Sequence, residues 1–214
     1  LREKISELDK PTGLKGTELM RSETTQEARD LVGAGRRNKI INGAMQVSQR
    51  GTSESGVTSS GFKQAPDRWR INLSGPTVTV SQSTDSPDGF SNSYKIDITT
   101  ADTNIGGNDR LILQTRLEGQ DLQDFAKGTP SAKDFIVSFY CKSTKMGTFT
   151  VELEDNDNTG DGGARTVSRH FTISNTNWNR YEINFGADTT GAFTNDNGKS
   201  LTLFFWLMAG PTYS

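Results

Sequence analysis

From about residue 37 onward, apolar and polar residues alternate in short runs, and the loops between these runs are rich in Gly, Asn, Asp and Ser. A period of two places successive side chains on opposite faces of a β-strand. The candidate strands are Lys39–Ser48, Arg68–Leu73, Thr77–Gln82, Tyr94–Thr99, Arg110–Leu117, Phe135–Lys142, Thr148–Leu153, Arg165–Ile173, Asn179–Phe185 and Ser200–Leu207. This pattern predicts a mainly β chain that forms a β-sandwich of jelly-roll type. A brief helical turn is predicted over Asp121–Ala126.

The N-terminal residues follow a helical period instead. Leu1, Ile5 and Leu8 are spaced by four and then three residues, as the core positions of a coiled coil are. One heptad does not establish a coiled coil, and a frayed amphipathic helix end is the alternative. The segment Pro11–Gly16 predicts a break after this first helix, because proline and glycine interrupt helices.

A second short helix is predicted after the break. Thr24 and Glu27 have the spacing of a capping box, in which each side chain bonds the other residue's amide. Leu31 and Val32 contribute to one apolar face, and Gly33 is a typical helix stop. A helix of two to three turns cannot bury such a face alone, so we expect it to pack against other chains.

The change of period predicts two regions. Residues 1–36 form a short helical neck that sets the oligomeric state, with Leu1, Ile5, Leu8 and Leu31 as oligomerisation residues, and residues 37–214 form the β-domain. The chain starts without an initiator methionine and stops directly after an apolar strand. We therefore expect a piece of a longer polypeptide.

Composition excludes several classes of function. No run approaches the ~18 apolar residues that span a bilayer, so membrane insertion is not expected. A net charge of -2 gives no basic field for nucleic acid. The one cysteine, Cys141, cannot form an internal disulfide and is predicted to be a buried thiol. The one histidine, His170, excludes a multi-histidine metal site.

Several segments resemble, in the same order, a β-jelly-roll module of bacteriophage tail fibres and related virion proteins. The matching segments are Asn38–Ser53, Pro66–Trp69, Gln114–Asp121, Ser138–Leu153 and Asn177–Asp188. The first contains Ile-Ile-Asn-Gly and Gln-Arg-Gly-Thr-Ser, and the second ends in Asp-Arg-Trp. The resemblance extends from about Arg36 to the end of the chain. Relatives of the module usually carry one more strand after the apolar one, so the resemblance implies a β-domain that lacks its last strand here. The helix around Thr24 also resembles small linker units of tail fibres that pack around a three-fold axis.

The resemblance implies a virion component, a tail fibre or other exterior appendage, that assembles as a homotrimer. Its partners would be further copies of itself, other virion proteins and glycan on the host surface, and it would attach without catalysing a reaction. A purely structural neck, decoration or connector protein is the alternative. A third possibility is an accessory domain of a depolymerase whose enzyme lies elsewhere in the polypeptide.

The acidic segment after the Thr148–Leu153 strand partly matches a calcium loop. Asp155, Asp157 and Asp161 supply oxygen ligands, and Gly160 occupies the sixth position. The twelfth position is Thr166, where such a loop has a bidentate Glu. Calcium is thus a hypothesis, a plain polar hairpin loop is the alternative, and no other cofactor is expected.

Glycan binding requires an aromatic face for the C–H surface of a sugar and polar groups for its hydroxyls. Phe90, Tyr94 and Phe193 lie in or beside long polar loops and are the candidate sugar contacts, with plain loop aromatics as the alternative. Trp69 and Trp206 are expected to pack inside the domain.

No catalytic site is predicted. His170 alternates within a strand, where a surface or satisfied role is commoner than that of a catalytic base. Glu118, Asp121 and Asp124 cluster in sequence, but a turn or an ion pair with Arg116 explains Glu118 more simply.

The segment Ser200–Leu207 is nearly all apolar, which predicts a strand buried on both faces. An interface with another subunit and a central strand under long loops are the two explanations.

Overall fold

The computed structural model describes residues 14–24, 27, 28, 31, 38–160 and 163–213. Its contacts divide the chain into two units, Leu1–Lys39 and Ile40–Ser214. In the first unit, helix α1 spans Leu14–Arg21. Gly16 therefore lies within a helix and not in the predicted break. The residues after it include strong helix formers such as Glu, Leu and Met, and one helical Gly costs only about 1 kcal/mol.

The capping box predicted at Thr24 is formed. The Thr24 hydroxyl accepts a hydrogen bond from the Glu27 amide (3.1 Å), and the Glu27 carboxylate accepts one from the Thr24 amide (3.2 Å). The same carboxylate accepts a bond from the Glu23 amide (2.8 Å). Backbone amides at the start of a helix have no carbonyl partner within the helix, and these side-chain oxygens accept their hydrogen bonds instead.

The second unit is built from β-strands, which confirms the prediction of a mainly β chain. The strands are β1 (Ser53–Val57), β2 (Gly61–Phe62), β3 (Trp69–Ser74), β4 (Thr77–Ser83), β5 (Ser93–Thr100), β6 (Arg110–Glu118), β7 (Asp134–Cys141), β8 (Gly147–Gly160), β9 (Gly163–Ile173), β10 (Asn179–Ala187) and β11 (Lys199–Ala209). Short 3-10 turns at Gly119–Asp121 and Gln123–Phe125 confirm the helical turn predicted after β6. A third 3-10 turn, Pro211–Tyr213, follows β11. None of the helices in the described ranges is both long and apolar enough to cross a membrane.

The strands form three antiparallel sheets. A six-stranded sheet has the order β2-β3-β6-β11-β8-β9, a three-stranded sheet has the order β1-β4-β5, and β10 pairs with β7. Neighbours in the large sheet are mostly distant in sequence, so its register depends on packing more than on hairpin turns.

Two apolar clusters hold the sheets together in two layers. The larger cluster joins the six-stranded sheet to β7 and β10, through side chains such as Leu153, Leu203 and Phe135. The smaller cluster joins the same sheet to β1, β4 and β5, through side chains such as Ile71 and Val80. One face of the six-stranded sheet is therefore covered by both smaller sheets. We call the opposite face, which carries residues of neither cluster, the outer face.

The prediction of a strand over Lys39–Ser48 is wrong. This segment forms turns organised by Asn42, whose φ is 55°. The Asn42 amide nitrogen donates to the carbonyls of Val47 (2.8 Å) and Asp67 (2.9 Å), and its side-chain oxygen accepts from the Val47 amide (3.0 Å). Its own carbonyl accepts a bond from the indole of Trp69 (3.2 Å), a buried side chain as predicted. Asparagine tolerates the left-handed conformation because its short side chain bonds nearby backbone groups.

The apolar strand β11 lies at the centre of the six-stranded sheet, between β6 and β8. Leu201, Leu203 and Phe205 point into the larger cluster. Phe204 and Trp206 alternate with them and therefore lie on the outer face, where Phe204 is only 8% exposed. The position matches the central-strand explanation of this apolar run, and an additional subunit contact stays a prediction.

Candidate functional site

The loop between β4 and β5 presents an aromatic ring on a fixed turn. The Phe90 amide donates to the Pro87 carbonyl (3.1 Å), and Gly89 between them has φ 86°. This left-handed value suits the third residue of a type II turn, where glycine is preferred. The Ser86 hydroxyl donates to the Phe90 carbonyl (2.7 Å) and closes the loop from the other side.

Asp85 ties this loop to the two-stranded sheet. Its carboxylate accepts hydrogen bonds from the Lys142 ammonium (2.7 Å) and from the Trp178 indole nitrogen (2.9 Å). These two bonds are the main reason why the pKa of Asp85 lies below its ordinary value. The Lys142 nitrogen also lies 5.9 Å from the centre of the Trp178 ring. The loop is thus anchored by polar groups that themselves stay accessible to a ligand.

Next to this anchor, Phe90 meets Tyr140 of β7. The ring centres are 5.6 Å apart and the planes are inclined at 59°. Phe90 is 42% exposed and Tyr140 is 41% exposed, so each ring offers apolar surface to solvent. We call Phe90, Tyr140, Asp85 and Lys142 the aromatic platform. Such a set can stack against the C–H face of a sugar and bond its hydroxyls.

The other two predicted sugar contacts are not exposed rings. Tyr94 packs in the smaller apolar cluster, and burial raises the pKa of its hydroxyl. Phe193 is only 6% exposed and meets Phe135 edge to face at 6.1 Å. Phe193 leaves its polar loop for the core because burying an aromatic ring removes a large apolar area from water. The structure therefore brings neither ring to the aromatic platform.

The predicted calcium ligand Asp155 belongs to a buried ion cluster. Its carboxylate lies 2.8 Å from the Lys127 ammonium, which also lies 3.1 Å from Asp188. Arg165 approaches Asp188 at 3.2 Å. The second Asp155 oxygen accepts bonds from the amides of residues 157 and 158, both at 3.1 Å. A lysine nitrogen and two backbone amides thus occupy the oxygens that a calcium ion would require.

The rest of the acidic segment gives the ion no better site. Asp157 accepts bonds from the amide (2.9 Å) and hydroxyl (3.2 Å) of Thr194, and Asp161 lies outside the described residues. Within the part of the chain that the structure describes, no group of three or more His, Cys, Asp or Glu side chains is placed to hold a metal. The described carboxylates do not fit calcium, since protein donors engage both oxygens of Asp155 and one oxygen of Asp157.

The residues considered for catalysis have ordinary partners. His170 is exposed on β9 and shares a hydrogen bond with the Thr150 hydroxyl (3.0 Å). Glu118 lies directly before the 3-10 turn Gly119–Asp121, which agrees with the turn considered for it. Its ion pair is with Arg68 at 3.3 Å, so the alternative of a pair with Arg116 is wrong. Arg68 reaches Glu118 from the loop before β3, where it has φ 72°. Burial raises the pKa of the half-buried Cys141 thiol to about 11, which makes it a poor nucleophile.

Sequence reasoning missed the arginines of the outer face. Arg70 on β3 lies opposite Gln114 on β6, and Arg116 follows two residues later on the same face. Beside them, a cleft of about 210 Å³ opens between the sheet and the loop before β11; its lining includes Phe62, Arg68, Arg116, Asn197 and Lys199. The sequence signal was the alternation of arginines with buried apolar residues in β3 and β6.

Among the residues assigned to oligomerisation, Leu1, Ile5 and Leu8 lie outside the described residues. Leu31 is helical and half-buried.

Comparison with known proteins gives two structural likenesses. No protein-family model and no curated protein match the chain. The chain is similar to the enzymatically active domain of tailspike protein 4 of bacteriophage CBA120, with 16% identity, a TM-score of 0.48, and coverage of 81% of this chain and 20% of that one. It is also similar to a family 16 carbohydrate-binding module, with 13% identity, a TM-score of 0.35, and coverage of 59% and 72%. The chain thus spans about a fifth of the tailspike domain.

Proposed function

We propose that this chain is part of a bacteriophage tail fibre or tailspike and that its β-unit, folded as a jelly roll, attaches the virion to glycan on the host surface. The ordered series of motifs from Asn38 to Asp188 supports the assignment to a phage tail. The aromatic platform supports glycan binding and is the observation that carries the proposal. Phe90 and Tyr140 expose adjacent rings, and Asp85 and Lys142 supply an acceptor and a donor beside them.

Attachment through such a platform is expected to be weak at a single site. A few exposed rings and two polar groups bury little surface, and ordering the sugar offsets part of the gain. A homotrimer would present three platforms together, and linked sites raise avidity by about 10²–10⁴ when their geometry permits. Leu31 and the apolar positions Leu1, Ile5 and Leu8 are the residues that we assign to this assembly.

Binding of the full chain to arrayed bacterial surface glycans and to whole host cells tests the proposal. Phe90→Ala and Tyr140→Ala are each expected to lower binding at least tenfold while the unfolding transition stays in place. Ile105→Ala is the matched control, because Ile105 is 48% exposed in the loop at the other end of β5. Glycan binding that both platform variants retain would show that the platform is not the contact.

The trimer has its own test. Light scattering on the full chain is expected to give three times the chain mass of 23.4 kDa. A monomeric mass across the concentration range would remove self-assembly from the proposal and favour a module that other virion proteins hold in place.

The proposal includes attachment without turnover. His170 and Glu118 are occupied by Thr150 and Arg68, and neither faces a second catalytic group in the described contacts. Incubation with a bound polysaccharide should therefore release no reducing ends and leave its viscosity unchanged. Cleavage by the purified chain would contradict this part and point to a depolymerase.

A further inference from the structure

Two arginines on the outer face have no partner within the described chain. Arg70 is half-buried and Arg116 is exposed, and the strand register places them diagonally across the β3–β6 pair. Diagonal neighbours on one face of an antiparallel pair lie about 7–8 Å apart, within reach of long side chains. Neither guanidinium makes a hydrogen bond or an ion pair with another described residue, although each carries five N–H donors.

The remaining charged groups of this face are already engaged. Arg110 donates to Asn72 (2.9 Å) and to the Asn108 carbonyl (2.9 Å), and its guanidinium lies 6.0 Å from the centre of the Tyr213 ring. The carboxylates around the two free arginines are also occupied: Glu118 faces Arg68 at 3.3 Å, Glu154 faces Lys199 at 3.8 Å, and Glu152 accepts the Ser168 hydroxyl at 2.7 Å. The chain therefore supplies no described carboxylate to neutralise Arg70 or Arg116.

The sheet surface beneath and beside the two arginines contains buried polar atoms without a hydrogen-bond partner among the described residues. Gln114 is 3% exposed, and its side-chain oxygen has no hydrogen-bond partner among the described residues. Next to it on β11 lies Phe204. The indole nitrogen of Trp206, which lies opposite Ile112 on the side of Gln114 away from Arg116, is also buried without a described partner. Buried polar groups are normally bonded, so each unsatisfied one requires an explanation. A ligand that binds between the two arginines and shifts the covering side chains would provide the missing partner of Gln114.

Electrostatics select the charge of that ligand. Burial, followed by the charges of Arg116 and Arg110, lowers the pKa of Arg70. Three like charges on one side of two neighbouring strands repel each other, and a bound anion would relieve this repulsion. Guanidinium groups match the planar oxygens of carboxylate and phosphate with paired hydrogen bonds, which a hydroxyl cannot accept equally well.

We propose that Arg70 and Arg116 bind the oxyanion of an acidic glycan, a sugar carboxylate or phosphate, on the outer face of the six-stranded sheet. This inference rests on the proposed glycan attachment and names its substrate class. The adjoining cleft extends the site, because Arg116 lines both and Phe62, 49% exposed, offers a ring for the neighbouring sugar. The net charge of the chain is -2, so the cluster is a local feature and not part of a generally basic surface.

The test measures binding of the full chain to polygalacturonate and to the same polymer after reduction of its carboxyl groups. The wild type is expected to bind the carboxylate form at least tenfold more tightly at low salt. Arg70→Gln and Arg116→Gln should each remove most of this difference. Arg180→Gln is the matched control, since Arg180 is an exposed arginine on β10 that is paired with Glu182 at 2.8 Å. A phosphodiester polymer with uncharged sugars shows whether phosphate replaces carboxylate.

Two results would overturn the inference: equal binding of the acidic and the reduced polymer, or an undiminished preference for the acidic polymer in both arginine variants. Phe90→Ala separates the two proposals. Loss of binding to both polymers in Phe90→Ala, with an undiminished acid preference in the arginine variants, would leave the platform and remove the oxyanion site. The reverse pattern would remove the platform alone. A folded chain that binds no polymer would contradict both.

Discussion

Lys127 and Arg116 show two ways in which this chain handles a cation. The side chain of Lys127 is 4% exposed, and its nitrogen contacts Asp155, Asp188 and the carbonyl of Thr190 at 2.8–3.1 Å. Arg116 is exposed and has no such partner among the described residues. A buried charge requires compensation within the chain, because leaving water costs several kcal/mol per ion. An exposed charge is solvated by water and has no such requirement, so a ligand can supply its partner.

The largest effect that tests this comparison is expected from Lys127→Met. The variant leaves Asp155, 7% exposed, without its nearest cation, and removing one partner of a buried pair costs about 3–5 kcal/mol. Urea unfolding followed by tryptophan fluorescence measures the change. Lys95→Met is the control, because Lys95 and Asp97 are both more than half exposed at 3.8 Å and such pairs contribute about 0–1 kcal/mol. Equal effects of the two variants would contradict a structural role for the cluster.

A second prediction concerns acid. Burial raises the pKa of Asp188, but hydrogen bonds from the Thr190 amide and hydroxyl and from Lys127 outweigh it and lower the pKa to about 2. A depressed pKa adds stability above the unfolded value of about 3.9, and this contribution is lost as the pH falls toward 2. The difference in free energy of unfolding between wild type and Asp188→Asn should therefore shrink by about 2 kcal/mol from pH 5 to pH 2. A constant difference over this range would show that Asp188 is not held by the cluster.

Asn42 is the uncharged counterpart of Lys127, since the chain itself satisfies its polar atoms. Asn42→Ala removes three hydrogen bonds to backbone groups and places a residue with a less suitable side chain at φ 55°. We expect a loss of about 1–2 kcal/mol in the free energy of unfolding. Asn104→Ala, in the exposed loop before β6, should change it by less than about 0.5 kcal/mol. Similar losses in both variants would show that the Asn42 turn contributes no specific stability.

The smallest effect on stability is expected from Arg116→Gln. Because Arg116 has no described partner, its removal should shift the free energy of unfolding by no more than about 0.5 kcal/mol. The same variant is expected to lose preference for acidic glycan, so stability and binding respond separately. A loss above about 1 kcal/mol in the free energy of unfolding would show that Arg116, like Lys127, stabilises the fold.

The strands were predictable where one face is buried and the other meets solvent. In β8, Val151 and Leu153 alternate with polar residues, and this period follows directly from packing against a single layer. The segment before β1 was misread because Ile40, Ile41 and Val47 resemble a strand in composition. Asn42 overrides that preference through its side-chain bonds, a local effect that a period cannot reveal.

The candidate sites were less predictable, because they depend on distances between segments far apart in sequence. The sequence identified Phe90 as a loop aromatic, but Tyr140 lies 50 residues later and only pairing of β7 beside the loop brings the rings together. Phe193 looked equivalent to Phe90, since both occur in polar loops. Phe193 is buried by contacts with Phe135 and Lys127, whereas the ring of Phe90 stays partly exposed to solvent.

By itself, the sequence determined a mainly β chain, the capping box at Thr24 and most strand positions, because these depend on period, turn residues and neighbours within a few positions. Only the tertiary structure decided which charges are paired. Lys127 joins Asp155 and Asp188 through contacts between segments distant in sequence, whereas Arg70 and Arg116 lie diagonally on the same face of β3 and β6 without a carboxylate partner among the described residues. Strand order, which arises from packing of the whole sheet, thus separates the charges that are paired within the fold from those that we propose for a ligand.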